Sequence, residues 1–146
     1  MKNNYTIVDS FEKLPSPSYV CEETLLEKNL KLLKRVQDES GISILLALKG
    51  FAMHSTFDLC KKYLKGCCAS GLHEAILAKE EFGGEVHTYS PAFKDEEIDE
   101  IISISNHLVF NSFNQLKRYK DKAYGKTSIG VRLNPEYSSV EVDLYN

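Results

Sequence analysis

The feature that most constrains this chain is a regular alternation of short apolar segments with amphipathic ones. The apolar segments begin near residues 44, 66, 86, 107 and 128, so 20 to 22 residues separate each from the next. An interval of that length holds one strand, one helix and the loops that join them. Because strands that alternate with helices form parallel sheets, the pattern predicts an α/β fold.

Local patterns place the individual elements. Strands are expected at residues 18–21, 44–48, 66–69, 86–89, 107–110 and 128–133. Helices are expected at about 22–37, 55–64, 70–81 and 94–104, with a last one that begins at Ser112. Gly41 and Gly83 follow two of these helices, as glycine does at helix ends. Ser112 and Gln115 have the spacing of a capping box.

Two parallel architectures fit this order of elements: a doubly wound open sheet and part of an eight-stranded barrel. The first strand is not followed by G-x-G-x-x-G, which disfavours a dinucleotide-binding sheet. A complete barrel needs about 250 residues, and this chain has 146. We therefore expect an N-terminal segment at 1–16 and, at 17–146, an incomplete barrel with about five parallel strands.

Composition excludes several classes of protein. The 18 basic and 21 acidic residues give a net charge of -3, which argues against a nucleic-acid partner. No stretch is long and apolar enough for a membrane span, so no membrane partner is expected. The four cysteines form no C-x-x-C pair, and His54, His87 and His107 lack metal-ligand spacing, so no metal site is expected. Reduced thiols and a cytoplasmic location are the simplest interpretation.

Lys49 is the first candidate for chemistry, because it follows five apolar residues at the carboxyl end of a predicted strand. Functional groups of parallel α/β folds gather at that end. Burial lowers the pKa of a lysine, and the neutral amine can form a Schiff base with a carbonyl. The alternative is a lysine that marks the strand end and extends into solvent.

Ser70, His73 and Glu74 form a second candidate group. Ser70 is a suitable helix N-cap, and the first turn of its helix would lie on the same rim as Lys49. His73 and Glu74 could then bind a cofactor or orient Lys49. Alternatively, Ser70 only caps the helix and Glu74 only interacts with its dipole.

Arg132 lies within the last predicted strand, where a buried guanidinium needs an anionic or hydrogen-bonding partner. A cofactor oxygen would serve, and so would a structural ion pair with Glu74. Tyr89, Ser90, Pro91 and Asn111 end other strands on the same rim and could line a pocket.

Five segments of the chain form a specific combination: Pro-Ser-Tyr-Val at 17–20, Leu-Ala-Leu-Lys-Gly-Phe at 46–51, Ala-Ser-Gly-Leu-His-Glu at 69–74, 82–91 and 130–138. Together they resemble the carboxynorspermidine decarboxylases, which are pyridoxal 5'-phosphate (PLP) enzymes of the alanine-racemase-like group. The resemblance covers about residues 16–146.

The resemblance implies a PLP-binding barrel followed by a β-rich domain, in a homodimer that converts carboxynorspermidine or carboxyspermidine to the polyamine and CO2. Lys49 matches the lysine that binds PLP, and Ser70, His73, Glu74 and Arg132 match positions around the cofactor. Related ornithine decarboxylases have an acidic residue where Cys67 stands here, so this chain departs from their pattern at the position that would supply a carboxylate partner for the lysine.

The resemblance also implies that the phosphate loop, the acid facing the pyridine nitrogen and the β-rich domain lie beyond Asn146. We therefore expect this chain to be an N-terminal portion that is inactive alone. The alternatives are a non-catalytic PLP-binding barrel protein and an inert truncated fragment.

Overall fold

The computed structural model describes residues 14–137 and residue 139. Five strands alternate with helices along this part of the chain. The strands are β1 (Leu45–Ala47), β2 (Gly66–Ala69), β3 (Glu85–Ser90), β4 (His107–Phe110) and β5 (Ser128–Val131). The helices are α1 (Glu23–Ser40), α2 (Phe57–Cys60), α3 (Leu72–Leu77), α4 (Ile98–Ile104) and α5 (Phe113–Ala123). A 3₁₀ turn at His54–Thr56 precedes α2, and a π-helical turn at Ala78–Phe82 extends α3.

The strand order distinguishes the two architectures that the sequence left open. All neighbouring strands are parallel, and their order in the sheet is β1-β2-β3-β4-β5. A doubly wound sheet reverses direction at a switch point, whereas a barrel adds each strand to the same side of the last. The sequential order is that of a barrel wall, and the predicted α/β class is confirmed.

The helices cover one face of the sheet. Two apolar clusters fill the space between them: one around Phe57, Cys67 and Val86, the other around Ile98 and Leu108. Gln37 of α1 joins three elements at the edge of the first cluster. Its side-chain amide donates to the Tyr63 carbonyl at 2.7 Å and accepts from the Ile44 amide at 2.8 Å.

Successive side chains of a strand point to opposite faces of the sheet, so every second one lies on the face away from the helices. No helix covers that face in residues 14–137. We call this the inner face. One row of paired residues crosses all five strands there: Ala47, Cys68, His87, His107 and Ser128. The next row towards the carboxyl ends contains Tyr89, Val109 and Gly130.

Several predicted boundaries are wrong. Residues 18–21 form no strand, because no described strand pairs with them. The side chain of Tyr19 is accordingly 97% exposed. The helix expected at 55–64 contains only four α-helical residues after its 3₁₀ turn. The helix expected from residue 94 begins at Ile98. The strand at 44–48 is only Leu45–Ala47, and its side chains are half-buried to exposed because it lies at the edge of the described sheet.

Helix ends agree better with the sequence patterns. Gly41 ends α1 in the left-handed region at φ 73°, which glycine adopts without strain. The Ser112 hydroxyl accepts a hydrogen bond from the Gln115 amide at 3.2 Å, as in a capping box. The reciprocal bond differs, because the Gln115 side chain accepts from the amide of Asn111 instead. Most of the N-terminal segment expected at 1–16, and residue 138 and residues 140–146 at the other end, lie outside the described residues. No helix of the described part has the length and apolar character that crossing a membrane requires.

Candidate active site

A cavity of about 290 Å³ opens on the inner face near the carboxyl ends of β1, β2 and β3. Its wall includes Lys49 and Ser70. Ala47 and Val109 contribute apolar surface, and Tyr89 contributes a ring. The sequence therefore predicted correctly that Lys49 lies at the carboxyl-end edge of the sheet.

Lys49 does not have the buried environment that was expected for it. It lies two residues after β1, in a tight turn where the amides of Gly50 and Phe51 donate to the Ala47 carbonyl. Its side chain is exposed. The reason is that β1 is an edge strand with a neighbouring strand on one side only. No element of the described residues therefore covers the mouth of the cavity.

Ser70 does not cap its helix, contrary to the prediction. The N-cap of α3 is Gly71, and no side chain accepts from the first turn. Instead the Glu74 carboxylate reaches back and accepts from the Ser70 amide at 2.7 Å. This bond fixes the loop that carries Ser70 on the cavity wall. His73 and Glu74 themselves line a second cavity, which shares Ser70 with the first.

Arg132 is neither buried nor within a strand, because β5 ends at Val131. The predicted ion pair with Glu74 is absent among the described contacts. Arg132 instead donates to the Tyr89 hydroxyl at 2.5 Å, and its guanidinium lies 5.2 Å from the Tyr89 ring centre. The Tyr89 hydroxyl in turn donates to the Asn111 carbonyl oxygen at 2.7 Å.

Tyr89 links the Arg132 region to the Lys49 cavity. Arg132, Asn111 and Pro91 line a third cavity, and Tyr89 lines both this one and that of Lys49. Lys49 and Ser70 therefore share one cavity, and Glu74 and Arg132 line two further cavities, which share Ser70 and Tyr89 respectively with the first. From the sequence, Tyr89 was expected only to line a pocket, because its contacts with Asn111 and Arg132 join segments that are distant along the chain.

The two vicinal cysteines have opposite orientations. Cys67 is fully buried on the helix side, and desolvation by burial raises the pKa of its thiol to about 12. Cys68 lines the Lys49 cavity, and burial raises its pKa as well. All four cysteines are free thiols. A side chain at position 67 therefore faces away from Lys49, so an acidic residue there would not reach the cavity in this conformation.

The spacing of the histidines in the sequence suggested that they are scattered, but His87 and His107 lie side by side in the structure. They pair directly across β3 and β4, and their ring centres are 4.1 Å apart. The Glu85 carboxylate lies 3.0 Å from Nε2 of His87. The only signal in the sequence was that both histidines lie at the start of consecutive strand segments.

Comparison with known proteins gives sequence relatives, although no family model matches the chain. A carboxynorspermidine/carboxyspermidine decarboxylase of Campylobacter jejuni is 49% identical over 136 residues, 93% of this chain and 35% of that protein. A carboxyaminopropylagmatine decarboxylase of Synechocystis sp. is 46% identical over 134 residues, 91% of this chain and 35% of that protein. A carboxynorspermidine/carboxyspermidine decarboxylase of Herminiimonas arsenicoxydans is 41% identical over 131 residues, 90% of this chain and 36% of that protein.

A solved structure agrees with these relatives. The crystal structure of carboxynorspermidine decarboxylase from Campylobacter jejuni, complexed with norspermidine, superposes with a TM-score of 0.83 at 50% identity. The match covers 86% of this chain and 34% of the solved chain. The predicted resemblance is thus confirmed, and the chain spans about a third of the length of these relatives and corresponds to an N-terminal portion of them.

Proposed function

We propose that this chain is the N-terminal portion of a PLP-dependent decarboxylase of polyamine biosynthesis. The observation that carries the proposal is the position of Lys49, a primary amine on the wall of a cavity at the carboxyl ends of parallel strands. Enzyme sites of barrels lie at that end. The similarity to three decarboxylases, at 41% to 49% identity, supplies the reaction class.

The cavity suits PLP in size and lining. Its volume is near the lower limit of ligand pockets, which is roughly 300 Å³. Ala47 and Val109 offer apolar contacts for a flat ring, and the Ser70 hydroxyl offers a polar one. Lys49 would hold the cofactor through its amine. When bound, PLP accepts the electron pair that is released as a carboxylate leaves as CO2.

The residues around Lys49 would position the reacting groups. Glu74 holds the Ser70 backbone and so orients that part of the wall. Tyr89 and Asn111 hold the Arg132 guanidinium at the rim, where a cation can bind a substrate or cofactor anion. His73 is exposed at the neighbouring cavity and would contact the cofactor from α3. Such fixed charges and hydrogen bonds contribute to catalysis because they need no reorganisation during the reaction.

The proposed substrate is a carboxylated polyamine. The relatives are named for carboxynorspermidine, carboxyspermidine and carboxyaminopropylagmatine. The relatives named for these substrates are 41% to 49% identical to this chain, and that similarity does not favour one of the three substrates. Catalysis would also require parts of the protein that correspond to the remaining two thirds of these relatives.

We propose a homodimer and a cytoplasmic location for the full protein, as the family resemblance implies. Four free thiols are consistent with a reducing compartment. Cys67 and Cys68 could not pair with each other in this conformation, because their side chains lie on opposite faces of β2.

Trapping of PLP tests the role of Lys49. The chain is incubated with PLP, reduced with borohydride and digested, and the pyridoxyl label is located by mass spectrometry. We expect labelling at Lys49 that saturates at low PLP concentration and disappears in Lys49→Ala. Lys117→Ala is a matched control, since Lys117 is exposed on α5, away from the cavity.

Other labelling patterns would contradict the proposal. Equal labelling of many surface lysines, unchanged in Lys49→Ala, would mean that the chain forms no selective PLP site. Selective labelling at Lys49 together with a change in the absorbance of bound PLP on addition of carboxyspermidine would favour the decarboxylase over a non-catalytic PLP-binding protein.

A further inference from the structure

A cluster of three metal-ligating side chains lies on the inner face, below the Lys49 cavity. Glu85 and His87 are two residues apart on β3 and therefore point to the same face. His107 is the direct partner of His87 on β4. The cluster lies near the amino ends of these strands, whereas Lys49 follows the carboxyl end of β1.

The three side chains are close enough to bind one ion. Each offers one ligand atom, and these three atoms all lie within 4.8 Å of one another. Bond lengths near 2.05 Å in a tetrahedral zinc site place ligand atoms roughly 3.4 Å apart. Oε2 of Glu85 and Nε2 of His87 are already 3.0 Å apart. The His107 ligand atom lies within 4.8 Å of the other two, so its ring would rotate to bring that atom to the spacing a shared ion requires.

The chemistry of the cluster favours one class of ion. Two imidazoles and one carboxylate suit Zn²⁺ and similar transition metals, whereas Mg²⁺ and Ca²⁺ prefer sets of oxygen ligands. Three protein ligands leave a coordination position open for water. Both histidines are half-buried, so their rings have limited freedom to move apart.

We propose that Glu85, His87 and His107 form a binding site for a divalent transition-metal ion of the Zn²⁺ type. The ion would clamp β3 to β4 on the inner face. The site does not depend on PLP binding, although His87 also contributes to the wall of the Lys49 cavity. A bound ion would therefore lie next to the proposed cofactor site and could alter its occupancy.

Metal titration of the tag-free chain, stripped of metal with a chelator, tests this proposal. We expect one Zn²⁺ per chain by calorimetry, visible absorption bands with Co²⁺, and no binding of Mg²⁺. His107→Gln and Glu85→Gln are each expected to weaken Zn²⁺ binding by at least about tenfold. His54→Gln is the matched control, because His54 is exposed on the 3₁₀ turn before α2.

Nuclear magnetic resonance of the unsubstituted chain identifies the Zn²⁺ ligands directly, without the risk that a substitution alters the fold. The chain contains four histidines, and we expect Zn²⁺ to shift the ring signals of His87 and His107 but not those of His54 and His73. Shifts confined to His54 or His73, the absence of Zn²⁺ binding, or loss of binding in Cys68→Ser but not in His107→Gln would overturn the proposal.

Discussion

Gly66, at the start of β2, lies where the backbone of the neighbouring strand leaves no room for a side chain. A Cβ atom added there would lie 2.0 Å from the Glu85 carbonyl oxygen and 2.6 Å from the Glu85 amide nitrogen. Both are backbone atoms of the paired strand, so no side-chain rotation can relieve the contact. Glycine at this position is therefore required by the pairing of β2 with β3.

Gly66→Ala is expected to destabilise the fold by about 1–3 kcal/mol or more, because the two strands must separate to admit the methyl group. Urea unfolding followed by circular dichroism measures the change. Gly71→Ala is the matched control, since a Cβ there would meet nothing within 4 Å and the backbone is extended at φ 170°. Equal stability of the two variants would contradict the steric argument.

At the level of elements, the segment before α4 is joined to α5 through Asp95. The buried Tyr119 hydroxyl donates to its carboxylate at 2.7 Å, and the Arg118 guanidinium contacts it as well. The hydrogen bond from Tyr119, aided by the charge of Arg118, lowers the pKa of Asp95 below its ordinary value of 3.8. The ionised form is thus the one that binds α5.

This shift predicts how stability depends on pH. A carboxyl whose pKa is lower in the folded state stabilises the fold above its unfolded pKa and loses that effect as the pH falls through the folded pKa. We expect the native chain to be more stable than Asp95→Asn at neutral pH, and the difference to shrink below about pH 4. Urea midpoints measured between pH 6 and pH 2.5 test this.

The control for the pH series is Asp121→Asn, which changes an exposed aspartate on α5. The difference in urea midpoint between Asp121→Asn and the native chain should vary less with pH than that between Asp95→Asn and the native chain. A difference between the native chain and Asp95→Asn that stays constant down to pH 2.5 would show that Asp95 contributes through packing rather than through its charge.

The elements themselves show what the sequence could predict. The runs of β2 and β4 were located to the residue, because the side chains on their helix-covered face are apolar and buried, as Leu108 and Phe110 are in β4. Residues 18–21 are as apolar as these strands, yet no neighbouring strand pairs with them. Arg132 was assigned to a strand because apolar residues flank it on both sides, although the strand ends one residue earlier.

The candidate site was only partly visible in the sequence. Lys49 was found because it follows a strand, which is a local signal. The contact of Arg132 with Tyr89 spans 43 residues, and that of His87 with His107 depends on the register of two strands. Such register is decided by packing and by pairing across the sheet, and a single sequence does not reveal it.

At the scale of the whole molecule, the described sheet has two free edges and one uncovered face. β1 and β5 end the strand order, and no described helix lies on the inner face. The amides of Ser128 and Arg132 donate to β4, so by alternation the Val131 amide points away from the sheet. Unpaired edge groups of this kind form templates for pairing with another chain.

We therefore expect the 146-residue chain to associate with further copies of itself through the edge of β5. Val131→Pro removes the outward amide and, at an edge position, leaves the bonds to β4 intact. Val131→Ala is the matched control, because it also loses the valine side chain but keeps the amide.

Sedimentation over a wide range of concentrations should show association of the native chain and of Val131→Ala, and much weaker association of Val131→Pro. A native chain that stays monomeric throughout would mean that residues outside the described range cover the edge, and equal association of all three would place the contact elsewhere, for example on the inner face.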